Sequence, residues 1–323
     1  MAQEQSATTA TTAKFCSCSC NKFNYINLIA YLINVFVTFA IGQFGLGGRP
    51  TNGELSDKYQ TIVTPIGLMF SIWGPIFIFQ ALWALWQFLV PSQRNSEGVL
   101  KTGWWYAIAV VFQCGWTFAF SWEVMWASLV CMYGICISLV TATLRLQTYE
   151  KTWKGYLLWQ FPISLHCGWI IAASAVNTNV LPVFYEADST VQIAVAGASL
   201  GVLVLVAFAW LKAYPVDLAP PCVLVWALTG VYLALEDPAD MIVATFSERQ
   251  ITATQYSVLG GLSLIALGVV LKGLYVLCVQ RRSKAKPRGT APSSSTEAKK
   301  GGDSTSDEES PKVVTGLEDE VSA

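Results

Sequence analysis

Hydrophobic positions in this chain do not alternate with polar ones but run together in long blocks. Eight stretches are nearly free of charge: about 25–46, 62–90, 103–121, 125–144, 156–177, 190–211, 219–235 and 257–279. Most reach the roughly 20 residues that an α-helix needs to cross ~30 Å of hydrocarbon. In lipid every backbone N–H and C=O must find a partner inside the protein, which leaves helices or closed barrels. The pattern therefore predicts an all-α fold, a polytopic transmembrane helix bundle with eight spans. Residues 104–144 hold Glu123 as their single charge and are too long for one crossing, so they read as a hairpin turning near Ser121-Trp-Glu123. The 62–90 stretch is over-long and contains Pro65 and Pro75, which predicts a kink or an interfacial lead-in. The 156–177 helix is expected to end at the polar Asn177-Thr-Asn179, with Pro182 beyond it. The 190–211 stretch is rich in Ala, Gly and Val, small enough for close helix contact in lipid. The turn-rich segment GGRPTNGELSDKYQ reads as a polar loop, and EDPADMIVATFSERQITATQ has room for a short surface helix.

Composition agrees. Hydrophobic residues make up 54% of the 323 residues and charged ones 13%, with a mean hydropathy of +0.47. That leaves too little polar surface for an ordinary soluble enzyme, and it excludes a nucleic-acid partner and a secreted disulfide scaffold. Net charge is −1, which says little until the charges are placed. With the N-terminus in the cytoplasm and eight crossings, thirteen Lys and Arg fall inside and three, Arg49, Lys58 and Arg249, outside. This satisfies the positive-inside rule with both termini cytoplasmic. The start of the chain carries Glu4 and Lys14 but no basic run before an apolar core, so the first helix is expected to act as the uncleaved insertion signal. The identity of the membrane is not written in the sequence.

Four sections follow: a cytoplasmic segment 1–23, a tryptophan-rich five-helix core 24–182, a three-helix extension 183–280, and a disordered cytoplasmic tail 281–323. The tail opens with Arg281, Arg282, Lys284, Lys286 and Arg288, a run suited to anionic lipid headgroups. Further on, Ser304, Thr305 and Ser306 precede Asp307-Glu-Glu309 and are candidate phosphorylation acceptors. Cys16, Cys18 and Cys20 are spaced too tightly for a usual structural zinc site, and no metal is expected. With Cys278 they are candidates for reversible acylation, against the plainer reading of unmodified thiols.

Aromatic residues carry the strongest local signal. Of thirteen tryptophans, eleven lie between Trp73 and Trp169. Trp104, Trp105, Trp122, Trp153 and Trp210 fall at helix ends, where an amphipathic ring anchors at the membrane interface. Trp73, Trp116 and Trp169 fall within spans. Gln80, Gln87, Gln113, Gln160, His166 and Asn177 are the polar groups of the spans and should face the bundle interior. Together the three indoles and these groups could line a pocket for a flat apolar molecule; the alternative for each residue is ordinary core packing. No catalytic or phosphate-binding motif is present, and no enzyme is expected.

Three short patterns then fall in order along helices two, three and five. They are Pro65-Ile-Gly67 with Phe70 and Trp73; Gln113 with Trp116, Phe118 and Phe120; and Trp169 followed by Ala172, Ala173, Val176 and Asn177. Over residues 24–182 the chain resembles the tryptophan-rich sensory protein/translocator protein family, the peripheral-type benzodiazepine receptors. It departs from that pattern at Ile66, at Cys114-Gly115 and at Leu165-His166. The resemblance implies five helices around a cavity that binds tetrapyrroles such as porphyrin or haem, or sterols. It also implies that Trp73, Trp116, Trp169 and Asn177, with Gln113 and His166, are the binding residues. The expected function is a non-enzymatic receptor or carrier of an apolar small molecule in contact with membrane lipids; a homodimer stays open. The alternatives are a small-solute transporter and a structural or assembly protein that binds no ligand.

Overall fold

The computed structural model describes residues 19–148 and 152–285, with side chains through Val279. The regular elements of these residues are all helical. Helix α1 (Lys22–Val37) opens with a capping box between Asn21 and Asn24 and continues as a π-helical turn over Thr38–Gln43. A short α2 (Asn52–Lys58) follows, then a 3₁₀ lead-in (Gly67–Ile72) to α3 (Trp73–Leu89). Helix α4 (Glu97–Thr102) precedes the hairpin of α5 (Trp105–Ser121) and α6 (Met125–Gln147). The single turn α7 (Trp153–Gly155) and a π-helical stretch (Tyr156–Gln160) run into α8 (Phe161–Phe184). Then come α9 (Ser189–Lys212), α10 (Ala219–Glu236), the short α11 (Asp240–Thr245) and α12 (Glu248–Ala285).

Seven helical segments are long and apolar enough to cross a membrane: Lys22–Gln43, Gly67–Leu89, Met125–Gln147, Trp153–Phe184, Ser189–Lys212, Ala219–Glu236 and Glu248–Val279. The chain is a multi-pass membrane protein. The eighth expected span is α5, an apolar helix of 17 residues. The hairpin turns where expected. Glu123 there has φ 56°, in the left-handed region that closes a tight turn.

Several boundaries differ from expectation for identifiable reasons. The 62–90 stretch is not helical from its start; the helical chain begins at Gly67, and Ile66 N–H bonds to the Gly230 carbonyl of α10 at 3.1 Å. Helix α8 does not end at Asn177 but runs to Phe184 with Pro182 inside it. Asn177 and Asn179 are buried and bonded, Asn179 Nδ2 donating to the Ala175 carbonyl and to Ser199 Oγ, both at 2.9 Å. Their polarity is absorbed by neighbouring groups instead of by solvent, so it does not stop the helix. Trp210, expected at an interface, is buried at 8% exposure, whereas Trp104, Trp122 and Trp153 are exposed. Helix α12 continues to Ala285, past the expected start of the tail. Residues 286–323, with Ser304, Thr305 and Ser306, lie outside the described residues, as do Cys16 and Cys18.

The core is built on α8, in which every residue from Pro162 to Ala172 is buried. Close packing there needs glycine. A Cβ on Gly168 would stand 2.8 Å from Pro220 Cα, a backbone atom that cannot step aside, and one on Gly230 would meet the side chains of Met69 and Pro65. Helices α9 and α10 therefore pack directly on the five-helix core. Helix α12 touches the rest through Val258 and Ile265, with Gly261 and Gly268 facing Val204 and Leu211. Between Leu259 and Val279 the large side chains Leu264, Leu267, Val270, Leu271, Leu274 and Leu277 are exposed, as lipid contact requires.

Gly168→Ala should cost about 1–3 kcal/mol by forcing α8 from α10. Gly197→Ala, whose Cβ would meet nothing within 4 Å, should be neutral or slightly stabilising. Thermal melts of the two variants in detergent check this contrast.

Candidate functional site

A cavity of about 480 Å³ opens within the bundle, in the size range of small-molecule sites (~300–1,000 Å³). Phe70 of the 3₁₀ lead-in and Trp73 at the start of α3 form one wall, and Gln113, Trp116 and Phe120 form another from α5. Helix α6 adds Met132 and Ile135, and α8 adds Trp169, Ile170 and Asn177. Helices α9 and α10 close it with Leu200, Leu203, Leu228 and Val231.

Five of the six sequence-predicted site residues meet here: Trp73, Trp116, Trp169, Gln113 and Asn177. The indoles are fixed by ring contacts and hydrogen bonds. Trp169 stands edge-on to Phe70, with centroids 5.5 Å apart, and to Trp73 at 6.5 Å. Trp116 stacks on Phe120 at 5.2 Å, and its Nε1–H donates to Asn177 Oδ1 at 3.0 Å. Asn177 thus orients an indole across the cavity. The Pro65-Ile-Gly67 segment also lines it.

His166 is the exception. It does not line the cavity but is fully buried behind Trp73, with ring centroids 5.5 Å apart. Gln80 joins it to α5: Tyr106 Oη donates to Gln80 Oε1 at 3.0 Å, so the Gln80 amide nitrogen faces His166 Nδ1 at 2.8 Å. Nδ1 then accepts, and the ring proton sits on Nε2. The imidazole belongs to a polar chain that braces the wall behind Trp73.

The mouth is the part that sequence reading missed. Asn52, Ser56, Asp57 and Tyr59, on or beside α2, line the cavity. The signal for this helix was present: in Thr51-x-x-Glu54, Thr51 Oγ1 accepts the Glu54 N–H at 3.2 Å while the Glu54 carboxylate accepts the Thr51 N–H at 2.7 Å. The α2 segment is tied to the α5–α6 turn by Glu123, whose carboxylate accepts from Lys58 Nζ at 2.5 Å and from Tyr59 Oη. The bonds from Lys58 and Tyr59 hold the Glu123 pKa below its ordinary 4.5, and the same contacts raise that of Lys58.

Also missed was Asp217, at 1% exposure in the short connection before α10. Its carboxylate accepts from Tyr156 Oη at 2.8 Å, Gln160 Nε2 at 2.8 Å, Ser164 Oγ at 2.5 Å and the Ala219 N–H at 3.1 Å. These bonds fasten the π-helical stretch before α8 to the start of α10. Among the described residues no group of three or more His, Cys, Asp or Glu is placed to hold a metal ion.

Two outcomes are expected. Asn177→Leu leaves the Trp116 indole N–H unpaired and should cost about 1–3 kcal/mol of stability with a shift of tryptophan emission, read by melting and fluorescence. The Glu123 tie, with its lowered pKa, holds above the ordinary carboxylate value and is lost as pH falls through the lowered one. Glu54 moves in the same direction, held down by its bonds to Thr51. Protection of the Asn52–Lys58 amides, their exchange corrected for its intrinsic pH dependence, should therefore fall as pH drops below about 4.5. Glu123→Gln should raise exchange already at neutral pH and leave only the Glu54 step.

Compared with known proteins, residues 24–282 match the family model described as TSPO-like protein. The match takes in the 183–280 stretch as well as the five-helix core, in accord with the walls that α9 and α10 give the cavity. No curated protein and no solved structure matches the chain. With the match spanning most of its length, the chain belongs to the TSPO-like family.

Proposed function

We propose that this protein is a non-catalytic membrane receptor or carrier that binds a flat apolar molecule, a tetrapyrrole or a sterol-like compound, in the indole-lined cavity. The observation that carries the reading is the convergence of Trp73, Trp116 and Trp169, from three different helices, on one enclosed space together with Gln113 and Asn177. Flat rings between indoles bury large apolar area, and the few polar groups set orientation. Membership of the TSPO-like family is consistent with such ligands. No residue of the cavity is assigned a bond-making role, and the bound molecule leaves unchanged. In this reading α5 also crosses, giving eight spans and both termini on the cytoplasmic side, as the distribution of Lys and Arg favours.

Titration of the purified protein with porphyrin should quench tryptophan emission saturably, and titration with sterol should shift it saturably. Asn177→Ala, which frees the Trp116 ring, should weaken binding roughly tenfold. Linear, unsaturable responses to both compounds would count against the reading. Epitope tags at the two ends should be reached from the same side of sealed vesicles.

A further inference from the structure

Among the described residues, the side chains lining the cavity include two carboxylates, Asp57 and Asp237, and no lysine, arginine or histidine. Both carboxylates are exposed, Asp57 on α2 and Asp237 just after α10. The cations flanking α2 do not line the cavity. Lys58 pairs with Glu123, and the Arg49 guanidinium lies 4.9 Å from the Trp122 ring centroid. Deeper inside, Gln113 is 2% exposed; its Nε2 donates to Thr38 Oγ1 at 3.5 Å, while its Oε1 is buried with no hydrogen-bond partner. Asn52 Oδ1, in the mouth, is likewise buried and unpartnered. Both orphaned atoms are carbonyl oxygens, and a buried acceptor without a donor is costly until one arrives.

The chemistry of the occupant follows. A carboxylate can only accept hydrogen bonds. Brought to this cavity it would leave Gln113 Oε1 unsatisfied, would find no cation among the described lining residues, and would pass two negative charges at the mouth. A hydroxyl or an ammonium group donates, and an ammonium is also attracted by Asp57 and Asp237. On the reading of this cavity as the ligand site, we propose that it selects apolar molecules whose polar end is an uncharged or cationic hydrogen-bond donor. It discriminates against molecules that carry carboxylates, dianionic porphyrins included.

The test uses the full chain in nanodiscs of uncharged phosphatidylcholine, with protoporphyrin IX and its dimethyl ester as probes of one ring system in two charge states. Comparing one probe across two proteins cancels its partition into lipid. Asp57→Asn/Asp237→Asn, both at exposed positions, should bind the diacid roughly tenfold tighter than the unmodified protein at low ionic strength, with the difference shrinking in salt. The ester, which carries no charge, should respond far less than the diacid. Equal diacid affinity in the two proteins, with the ester still binding, would overturn the charge selection and leave the ligand reading standing. If the ester does not quench and cholesterol does not shift tryptophan emission saturably in either protein, the ligand reading falls and this proposal with it. A second arm addresses Gln113: Gln113→Leu should weaken cholesterol roughly tenfold and spare its 3-O-methyl ether, which has no donor. Equal loss for both sterols would overturn the role given to Gln113.

Discussion

From Pro162 to Ala172 α8 presents no residue to the outside, and this enclosure constrains everything around it. A helix buried on all sides has no lipid-facing stripe to accommodate error, so its neighbours must fit it by shape. Gly168 against Pro220 is one such fit. In lipid the association of helices comes from close packing and from interhelical hydrogen bonds, because hydrocarbon is as apolar as leucine. Where α8 stays tightly enclosed, near Gly168, the bundle is solid. The adjacent Trp169 already turns to the cavity on another face of the helix, and the lining continues to Asn177, about two and a half turns beyond Gly168.

Polar side chains inside this bundle act as register pins. Asn27 of α1 donates to Gln87 of α3 at 2.9 Å, Gln80 of α3 bridges Tyr106 and His166, and Asp217 gathers three side chains from the stretch leading into α8. Each such pair fixes how far one helix slides along another, because sliding would strand a donor or acceptor in a medium with no water to take its place. The indoles of the cavity inherit their positions from these pins. Trp73 rests on His166, which is held by Gln80, and Trp116 is held by Asn177.

Much of this was legible in the sequence, for a physical reason. Lipid demands long uncharged runs, so the spans and the hairpin at Glu123 could be read directly. Tryptophans and amides are scarce within spans, which drew attention to Trp73, Trp116 and Trp169 and to Gln80, Gln87, Gln113, Gln160, His166 and Asn177; the resemblance along helices two, three and five narrowed these to the three indoles with Asn177, Gln113 and His166. What escaped notice depends on tertiary partners or on short-range signals hidden in polar text. The extension of α8 through Asn177 and Pro182 needs Trp116 and Ser199 to satisfy the asparagines. The burial of Trp210 needs a packed neighbour that hydropathy does not reveal. Helix α2 was lost in a segment rich in turn formers, although its Thr51–Glu54 box was in plain view. His166 was placed correctly in the interior, yet periodicity could not tell the wall of the cavity from the layer behind it.

The 17 residues of α5 carry a consequence for the surrounding bilayer. At 1.5 Å per residue the helix is about 25 Å long, several Å short of an average hydrocarbon thickness of ~30 Å. Trp104 and Trp122, exposed at its two ends, prefer headgroup depth. On the eight-span reading proposed above, this helix pinches the leaflets locally, at a cost of fractions of a kcal/mol per Å of mismatch. Thin, sterol-poor membranes accommodate that dimple with less deformation than thick ones, so lipid thickness alone biases where in a cell this hairpin rests most comfortably.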